Sequence, residues 1–359
     1  MDTLKNLLRV YKFDKKIRIG LNGDCGYVIG DINSSYDCYI SAGVSTEDSV
    51  SVDFIKKYNM TSENAFAFDG TVSKYPHDIN EITFIKKNIN TFNDESNTDL
   101  LFLLNKFNNI FLKMDIEGWE YSWLLNIDPS LLQKFKQIAI EFHGITGNDW
   151  GASNDDKLKC FSLLNTTHYI IHAHGNNYGT VKDGVPDTIE LTYLNKNCFN
   201  SIPDFNTKPL PISGLDYRNS LLFPEISLDR YPFVNNIINV FTNIYENKTW
   251  DGDICSEFSG SSGPGSSLEV NINTYIPFLQ KFISDNNVNS VVDLGCGDFR
   301  CGPSIYDKLN ISYTGYDVYK KVIDYNKSKF MSSKYNFINL DFLNTKANII
   351  SSDLCILKD

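Results

Sequence analysis

The sequence predicts an α/β protein built from two doubly wound parallel sheets, the second incomplete. Three observations lead there. Short runs rich in β-branched and aromatic residues alternate with helix-period segments along most of the chain, the pattern of a parallel sheet with crossover helices. The stretch Ser290–Asp298, Ser-Val-Val-Asp-Leu-Gly-Cys-Gly-Asp, passes from a buried strand into a loop opened by Gly295 and Gly297, where open α/β sheets take their ligands. About twenty residues later a second apolar run, Tyr313–Asp317, ends in an acid placed to accept bonds from ribose hydroxyls.

Leu4–Tyr11 reads as a short helix, and residues 17–30 as a hairpin around Asn22-Gly23-Asp24. The alternation then begins. Cys38–Ala42, Ala65–Asp69, Ile82–Lys86, Ile110–Ile116, Gln137–Phe142, His168–Ala173 and Thr188–Tyr193 read as strands. Asp48–Tyr58, Leu100–Lys106, Trp119–Asn126 and Asp155–Leu164 are the helices between them. Seven strands with interposed helices make a complete doubly wound sheet. Pro203, Pro209 and Pro211 break the pattern, so residues 201–229 read as a linker between a first domain, 1–200, and a second, 230–359.

In the second domain Val234–Tyr245 is an amphipathic helix, and Ser259–Ser267 is too rich in glycine and serine to be regular. The helix Leu268–Asp285 leads into the strand that starts at Ser290. Helices follow near Ser304–Leu309 and Tyr319–Lys327, with strands at Asn336–Leu340 and Leu354–Leu357. With so few strands, Leu354–Leu357 is expected at a sheet edge, open to self-association with another copy. Asp359 is expected to end a fragment or an interrupted reading frame.

The totals set bounds. A chain of 359 residues has the length of about two domains. A net charge of −11 argues against nonspecific nucleic-acid binding, which needs many phosphates neutralised. Eight cysteines without a CxxC pair or zinc spacing suit reduced thiols in a cytoplasmic protein. No apolar run approaches the roughly 20 residues of a membrane span, and Met1–Lys12 lacks the apolar core of a signal peptide. A cytoplasmic protein with neither a nucleic-acid nor a membrane partner is the expectation.

Two nucleotide cofactors use a frame like Ser290–Asp317. A dinucleotide fingerprint needs a third glycine where Arg300 stands. Asp293-x-Gly295-x-Gly297, with the acid before the first glycine, resembles instead the S-adenosylmethionine loop of class I methyltransferases. That is the preferred reading, with a purely structural strand-turn-helix as the alternative. In the first copy Tyr39–Asp48 holds the place of this loop, with Ser41 and Gly43 as its small residues and Asp69 as the ribose acid by position.

The strongest chemistry lies in Lys113-Met-Asp-Ile-Glu-Gly-Trp-Glu120. Asp115 and Glu117 share a strand face by the period of two, and Glu141 and His143 share one on the next strand. If the two strands are neighbours, carboxylates and an imidazole converge. That grouping suits a base deprotonating a hydroxyl nucleophile, or a divalent cation lowering the hydroxyl pKa. A metal-free base is preferred, and an acidic cap on a helix N-terminus is the structural alternative. His172-Ala-His-Gly-Asn-Asn-Tyr-Gly179 reads as a loop lining the substrate pocket through His174, Asn176 and Asn177. A histidine metal pair and a plain turn remain open there.

Cys38–Asp53, Phe66–Asp69, Met114–Glu120, Ile138–His143 and His172–Gly179 together resemble the FkbM-like methyltransferase-like proteins, over roughly residues 15–200. The resemblance implies O-methylation dependent on S-adenosyl-L-methionine, often of a sugar or other small-molecule hydroxyl. Over roughly 230–359 the second copy resembles another group of class I methyltransferases, in which Ser-Gly-Pro-Gly-Ser-Ser, here Ser262–Ser267, precedes the helix leading to Asp-x-x-Cys-Gly-Asp. This implies that Asp293, Gly295, Gly297 and Asp317 hold the cofactor and that Asp341 meets its adenine amino group. It also implies that Ser259–Ser267 is a lid and that Lys358-Asp359 opens a catalytic loop. Two rival functions stay open. One is an NAD(P)-dependent oxidoreductase, against which the missing third glycines count. The other is a non-catalytic interaction protein built from degenerate methyltransferase folds.

Overall fold

The computed structural model describes residues 2–147, 150–235, 237–246, 250, 262–330, 332–342 and 347–357. The chain forms two compact units, Met1–Asn235 and Asn236–Asp359.

The first unit runs α1 (Asp2–Leu7), β1 (Lys16–Gly20), β2 (Gly26–Gly30), β3 (Cys38–Ala42), α2 (Ser49–Tyr58), β4 (Ala65–Phe68), β5 (Thr83–Ile85), β6 (Asn88–Ile89), β7 (Asn97–Thr98), α3 (Leu101–Lys106), β8 (Ile110–Met114) and α4 (Glu120–Asn126). It continues with β9 (Phe135–Phe142), α5 (Asn154–Thr167), β10 (His168–Gly175), β11 (Val181–Lys182), β12 (Val185–Pro186) and β13 (Ile189–Asn195). Seven strands form one sheet in the order β10-β13-β9-β8-β3-β4-β5. β9, β8, β3, β4 and β5 are parallel. β13 runs antiparallel to both β9 and β10. The order turns back at β3, which lies between β4 and β8, so the switch point of the sheet falls at the end of β3. This order, with its last strand inserted antiparallel, is the class I methyltransferase arrangement the sequence predicts.

The strands alternate as their pattern requires. Ile40, Ala42, Leu112, Met114, Ile138, Ile140 and Phe142 pack in one core with Leu103, Leu104, Tyr121, Leu124, Phe161 and Leu164 of α3, α4 and α5. Tyr39, Phe111 and Ala139 pack on the other face with Phe54 of α2 and with Tyr27 and Ile29 of β2. The β1–β2 hairpin is fixed over that second face by polar bonds. Gln137 Oε1 accepts from Gly30 N at 2.7 Å, and Thr192 Oγ1 donates to the Val28 carbonyl at 2.6 Å. Glu141 continues this alternation on β9, and Asp115 and His143 directly follow the ends of β8 and β9.

Residues 201–229 differ from the linker reading, because they belong to the first unit. Leu210 and Leu228 are buried in its core and bonded to each other, Leu228 N to Leu210 O at 2.8 Å. Asp216 pairs with His172 at 2.9 Å, Asn219 donates to Glu190 at 2.8 Å, and Ser220 N donates to Asn177 Oδ1 at 2.7 Å. The prolines mark an irregular course, while long-range side-chain bonds hold it in place.

The second unit contains α6 (Ile237–Glu246), α7 (Leu268–Asn271), α8 (Tyr275–Asp285), β14 (Ser290–Leu294), α9 (Gly302–Tyr306), β15 (Ser312–Asp317), α10 (Lys320–Lys329), β16 (Tyr335–Asn339) and β17 (Leu354–Leu357). Its sheet is parallel, in the order β16-β15-β14-β17. That order repeats β5-β4-β3-β8 of the first unit. β17 is an edge strand within the unit, as expected, with Leu354 and Ile356 against the core and Leu357 74% exposed. The helix read over Leu268–Asp285 is two helices, because the Asn271 amide turns back to the Gly265 and Ser267 carbonyls. Residues 259–261 of the expected lid, and Lys358-Asp359, lie outside the described residues. Among the described residues no helix is long and apolar enough to cross a membrane.

Candidate active site

β8 and β9 are neighbours, so the convergence expected of their ends occurs. β8 delivers Asp115 at its carboxyl end, and β9 delivers Glu141 and His143. His143 Nε2 lies 3.4 Å from Glu117, 3.9 Å from Glu141 and 4.0 Å from Asp115. Its other nitrogen, Nδ1, faces Glu120 Oε1 at 3.1 Å. Tyr121 donates to the His143 carbonyl at 2.6 Å, and the Trp150 ring covers the imidazole with centroids 4.9 Å apart. Lys113 reaches in from β8, donating to the Gly43 carbonyl at 2.5 Å and lying 3.9 Å from Asp115. The sequence reading missed Glu120 and Trp150 as members of this group. Glu120 carried a faint signal, an acid in the first turn of α4 that is wholly buried.

Burial governs the charges. It lowers the proton affinity of His143, but the Glu120 hydrogen bond and charge, then Asp115 and Glu117, outweigh it and hold the imidazole above its ordinary value. Burial also pushes the Glu120 carboxyl up. It pushes Glu141 well up, and the charges of Asp115 and Glu190 add to the effect. Glu141 takes one hydrogen bond among the described residues, from Asn176 Nδ2 at 2.7 Å. The donor atoms of Asp115, Glu117 and His143 all lie within 4.8 Å of one another.

The glycine loops of the two units correspond position by position. Gly43 N donates to Phe68 O at 2.9 Å, and Gly295 N to Tyr316 O at 2.8 Å, so Asp69 and Asp317 occupy equivalent places. Their bonding differs. Asp69 accepts from Val44 N and Ser45 N on one oxygen, and from Thr71 N and Thr71 Oγ1 on the other. Burial pushes its carboxyl up, yet these four bonds win and hold it below its usual value. Four donors fill a carboxylate's capacity. Among the described residues Asp317 accepts from Gly297 N at 3.1 Å and Tyr319 N at 2.9 Å, and burial outweighs these bonds and the Val318 amide and leaves its carboxyl raised. At Gly43, φ is +80° and a side chain would overlap the Asp115 carbonyl oxygen. At Gly295, φ is +88° and no described residue lies within 4 Å of a side chain placed there.

The remaining expected residues fall as follows. Ser41 is fully buried and donates to Asp48 at 3.2 Å. Asp293 accepts from Tyr313 at 2.8 Å. Gly297 lies under Ser262, whose hydroxyl accepts from Asp298 N at 2.9 Å. Asp341 stands just beyond β16, whose Asn339 donates to the Asp317 and Val318 carbonyls. His174 is enclosed between Glu190 and Glu225 and pushed up to about 10, where burial, which lowers it, is outweighed chiefly by Glu190. Asn177 ties down the Ser220 and Phe223 carbonyls. Of the three residues expected to line the substrate pocket, only Asn176 reaches the acid–imidazole group.

The second loop would suit S-adenosylmethionine better than the first, since among the described residues Asp317 carries fewer hydrogen bonds than Asp69 and nothing lies within 4 Å of a side chain built at Gly295. In the first loop the same contact requires the ribose to replace Thr71 on Asp69.

No protein-family model matches the chain, and no curated protein does. Nine chains of solved structures match. Among them is a Haemonchus contortus phosphoethanolamine N-methyltransferase 2 with phosphomonomethylethanolamine and S-adenosylhomocysteine, 11% identical with a TM-score of 0.23, over 85% of this chain and 59% of that one. The same enzyme with S-adenosyl-L-methionine gives the same values, so the chain spans 59% of the length of these first matches. A T. thermophilus 16S rRNA N2 G1207 methyltransferase with AdoMet and guanosine is 8% identical with a TM-score of 0.23, over 95% of this chain and 79% of its own. Similarity this low carries no argument about activity, and the fold rests on the strand order.

Proposed function

We propose that the protein is an S-adenosyl-L-methionine-dependent methyltransferase of FkbM-like character, acting on a hydroxyl of a sugar or other small molecule. The observation that carries this reading is the imidazole of His143, backed by Glu120 and facing three carboxylates beside the switch point of the first sheet. The cofactor supplies a methyl group on a sulfonium, which needs alignment and a proton acceptor more than it needs covalent help. With the cofactor bound, His143 Nε2 would take the proton of the acceptor hydroxyl while that oxygen bonds the methyl carbon and the S–C bond breaks to leave the neutral thioether, and Glu120 would stabilise the resulting imidazolium. Asn176 orients Glu141, and Asp115, Glu117 and Glu141 bind the polar face of the acceptor. Asp69 holds the ribose in the first unit once Thr71 gives way. Asp293, Gly295, Gly297, Asp317 and Asp341 form the donor site of the second.

A second reading is supported by one observation. The loop of the second unit carries Asp317 where the first carries Asp69, with fewer hydrogen bonds on it among the described residues, which supports donor binding in that unit as well. Two measurements on the full chain test these readings. In calorimetry with S-adenosylhomocysteine, Asp317→Asn should weaken the second-unit site by roughly tenfold or more, since a charged acceptor is worth about 1.5–3 kcal/mol. Unchanged affinity would reject that site. With labelled donor and a sugar-rich extract, His143→Asn should abolish transfer while leaving donor binding intact. Undiminished transfer would remove His143 from the chemistry.

A further inference from the structure

We infer that the first unit binds a divalent cation of the Mn2+ or Zn2+ kind between Asp115, Glu117 and His143 Nε2, with Glu141 on its fourth side. The three donors come from a strand end, the turn before α4 and the neighbouring strand end, and lie within 4.8 Å of one another. Bound metal draws carboxylate oxygens and imidazole nitrogens to about 2.0–2.2 Å, a small contraction from this spacing. One imidazole with two or three carboxylates is a mixed donor set, suited to Mn2+ or Zn2+.

Two further observations point to a cation. Glu141 is 5% exposed, and its Oε1, which takes the Asn176 hydrogen bond, also faces Nε2 at 3.9 Å. Glu120 Oε2 is buried with no partner. Four carboxylates thus crowd one imidazole and one ammonium, and that ammonium, Lys113, is engaged by the Gly43 carbonyl. The orientation of the ring fits as well. Glu120 takes the Nδ1 side, the arrangement by which a carboxylate behind a histidine fixes the nitrogen that faces the metal. Glu117 and Asp115 form an accessible mouth, with side chains 74% and 30% exposed. With the cation bound, Nε2 would be a ligand in place of the proton acceptor it is in the metal-free reaction, and the cation would lower the pKa of a hydroxyl bound in the remaining positions, whose proton passes to water. That last role rests on the methyl-transfer reading, whereas the binding does not.

The test uses the full chain stripped with a chelator and titrated with Mn2+, free metal being followed by electron paramagnetic resonance. One Mn2+ per chain is expected, with a nitrogen coupling from the imidazole in the pulsed spectrum. Glu117→Gln, at an exposed side chain, keeps the fold and should weaken binding by roughly tenfold or more. His143→Gln should lose the nitrogen coupling. No binding of Mn2+ or Zn2+ at millimolar metal, or binding that Glu117→Gln leaves unchanged, overturns the inference. S-adenosylhomocysteine affinity measured on the metal-free samples reports on the donor site separately.

Discussion

Replacing Gly43 and Gly295 by alanine, one at a time, tests whether the first loop is closed on its own sheet while the second is open. Both glycines have φ in the left-handed region, +80° and +88°. A side chain there costs about 1–2 kcal/mol, and the stiffer unfolded chain returns about 0.4–1 kcal/mol. Gly295→Ala meets nothing within 4 Å, so its net cost is about 1 kcal/mol. Gly43→Ala must also push its new methyl into the Asp115 carbonyl oxygen, which Asp115 N holds in register through its own 3.0 Å bond to Ala42 O. Overpacking of that kind adds about 1–3 kcal/mol, for a total of about 2–4 kcal/mol. In a unit of this size that lowers the melting temperature by roughly 5–15 °C, against less than about 5 °C for Gly295→Ala. Differential scanning calorimetry of the full chain reads both. The second readout is S-adenosylhomocysteine affinity, which Gly295→Ala should weaken by filling open space beside Asp317. Equal melting shifts, or a Gly43→Ala protein that melts like the parent, would refute the closed-loop argument.

Two further outcomes follow from burial. His168 is buried, with Nε2 at 2.8 Å from the Phe135 carbonyl, and desolvation lowers its pKa to about 4. The unfolded chain then binds this proton below the ordinary value and the folded chain does not, so stability is full at neutral pH and falls as pH drops towards 4. Between pH 7.5 and 4.5, urea unfolding of His168→Gln should lose roughly 2.5 kcal/mol less than the parent. Asp48, pushed up to about 6 by burial, acts in the opposite sense, so the comparison with the variant is the diagnostic quantity, and parallel curves would exclude His168. In the second unit, β17 has no partner on one side among the described residues. Light scattering should find concentration-dependent dimers that Ile356→Pro abolishes, and a monomer at all concentrations would show that the edge does not pair.

The parts of the fold legible in the sequence were those written in local period and punctuation. Cys38–Ala42 and Leu354–Leu357 have the boundaries their composition implies, because turn-forming or polar residues bracket short apolar runs. The meeting of Asp115 with His143 was legible too, since the period of two and adjacent strands suffice to bring them together. Glu120 was harder to read, because an acid in the first helical turn looks like a dipole cap whether or not it is buried. The segment 201–229 was not legible as part of the first unit. What binds it is a set of single polar pairs, His172 with Asp216 and Asn177 with Ser220, at separations that leave no periodic trace. The saturation of Asp69 had a visible cause, since Thr71 two residues on makes the turn its side chain favours.

The two units divide between them what the shared frame can do. In the first, the loop has spent its freedom on closure. Gly43 receives the Asp115 carbonyl, Lys113 clasps the Gly43 carbonyl from the other side, and Asp69 gathers the loop amides. That closure fixes Asp115, and with it one wall of the acid–imidazole group, by backbone contact alone, so the group is in place before any substrate arrives. In the second unit no described residue lies within 4 Å of a side chain built at Gly295, and Asp317 carries fewer hydrogen bonds than Asp69 among the described residues. On the proposed reading, a loop that stays open for a nucleoside does not also serve as a rigid support for the strand beside it. The two demands compete for the same glycine, and each unit has settled the competition differently.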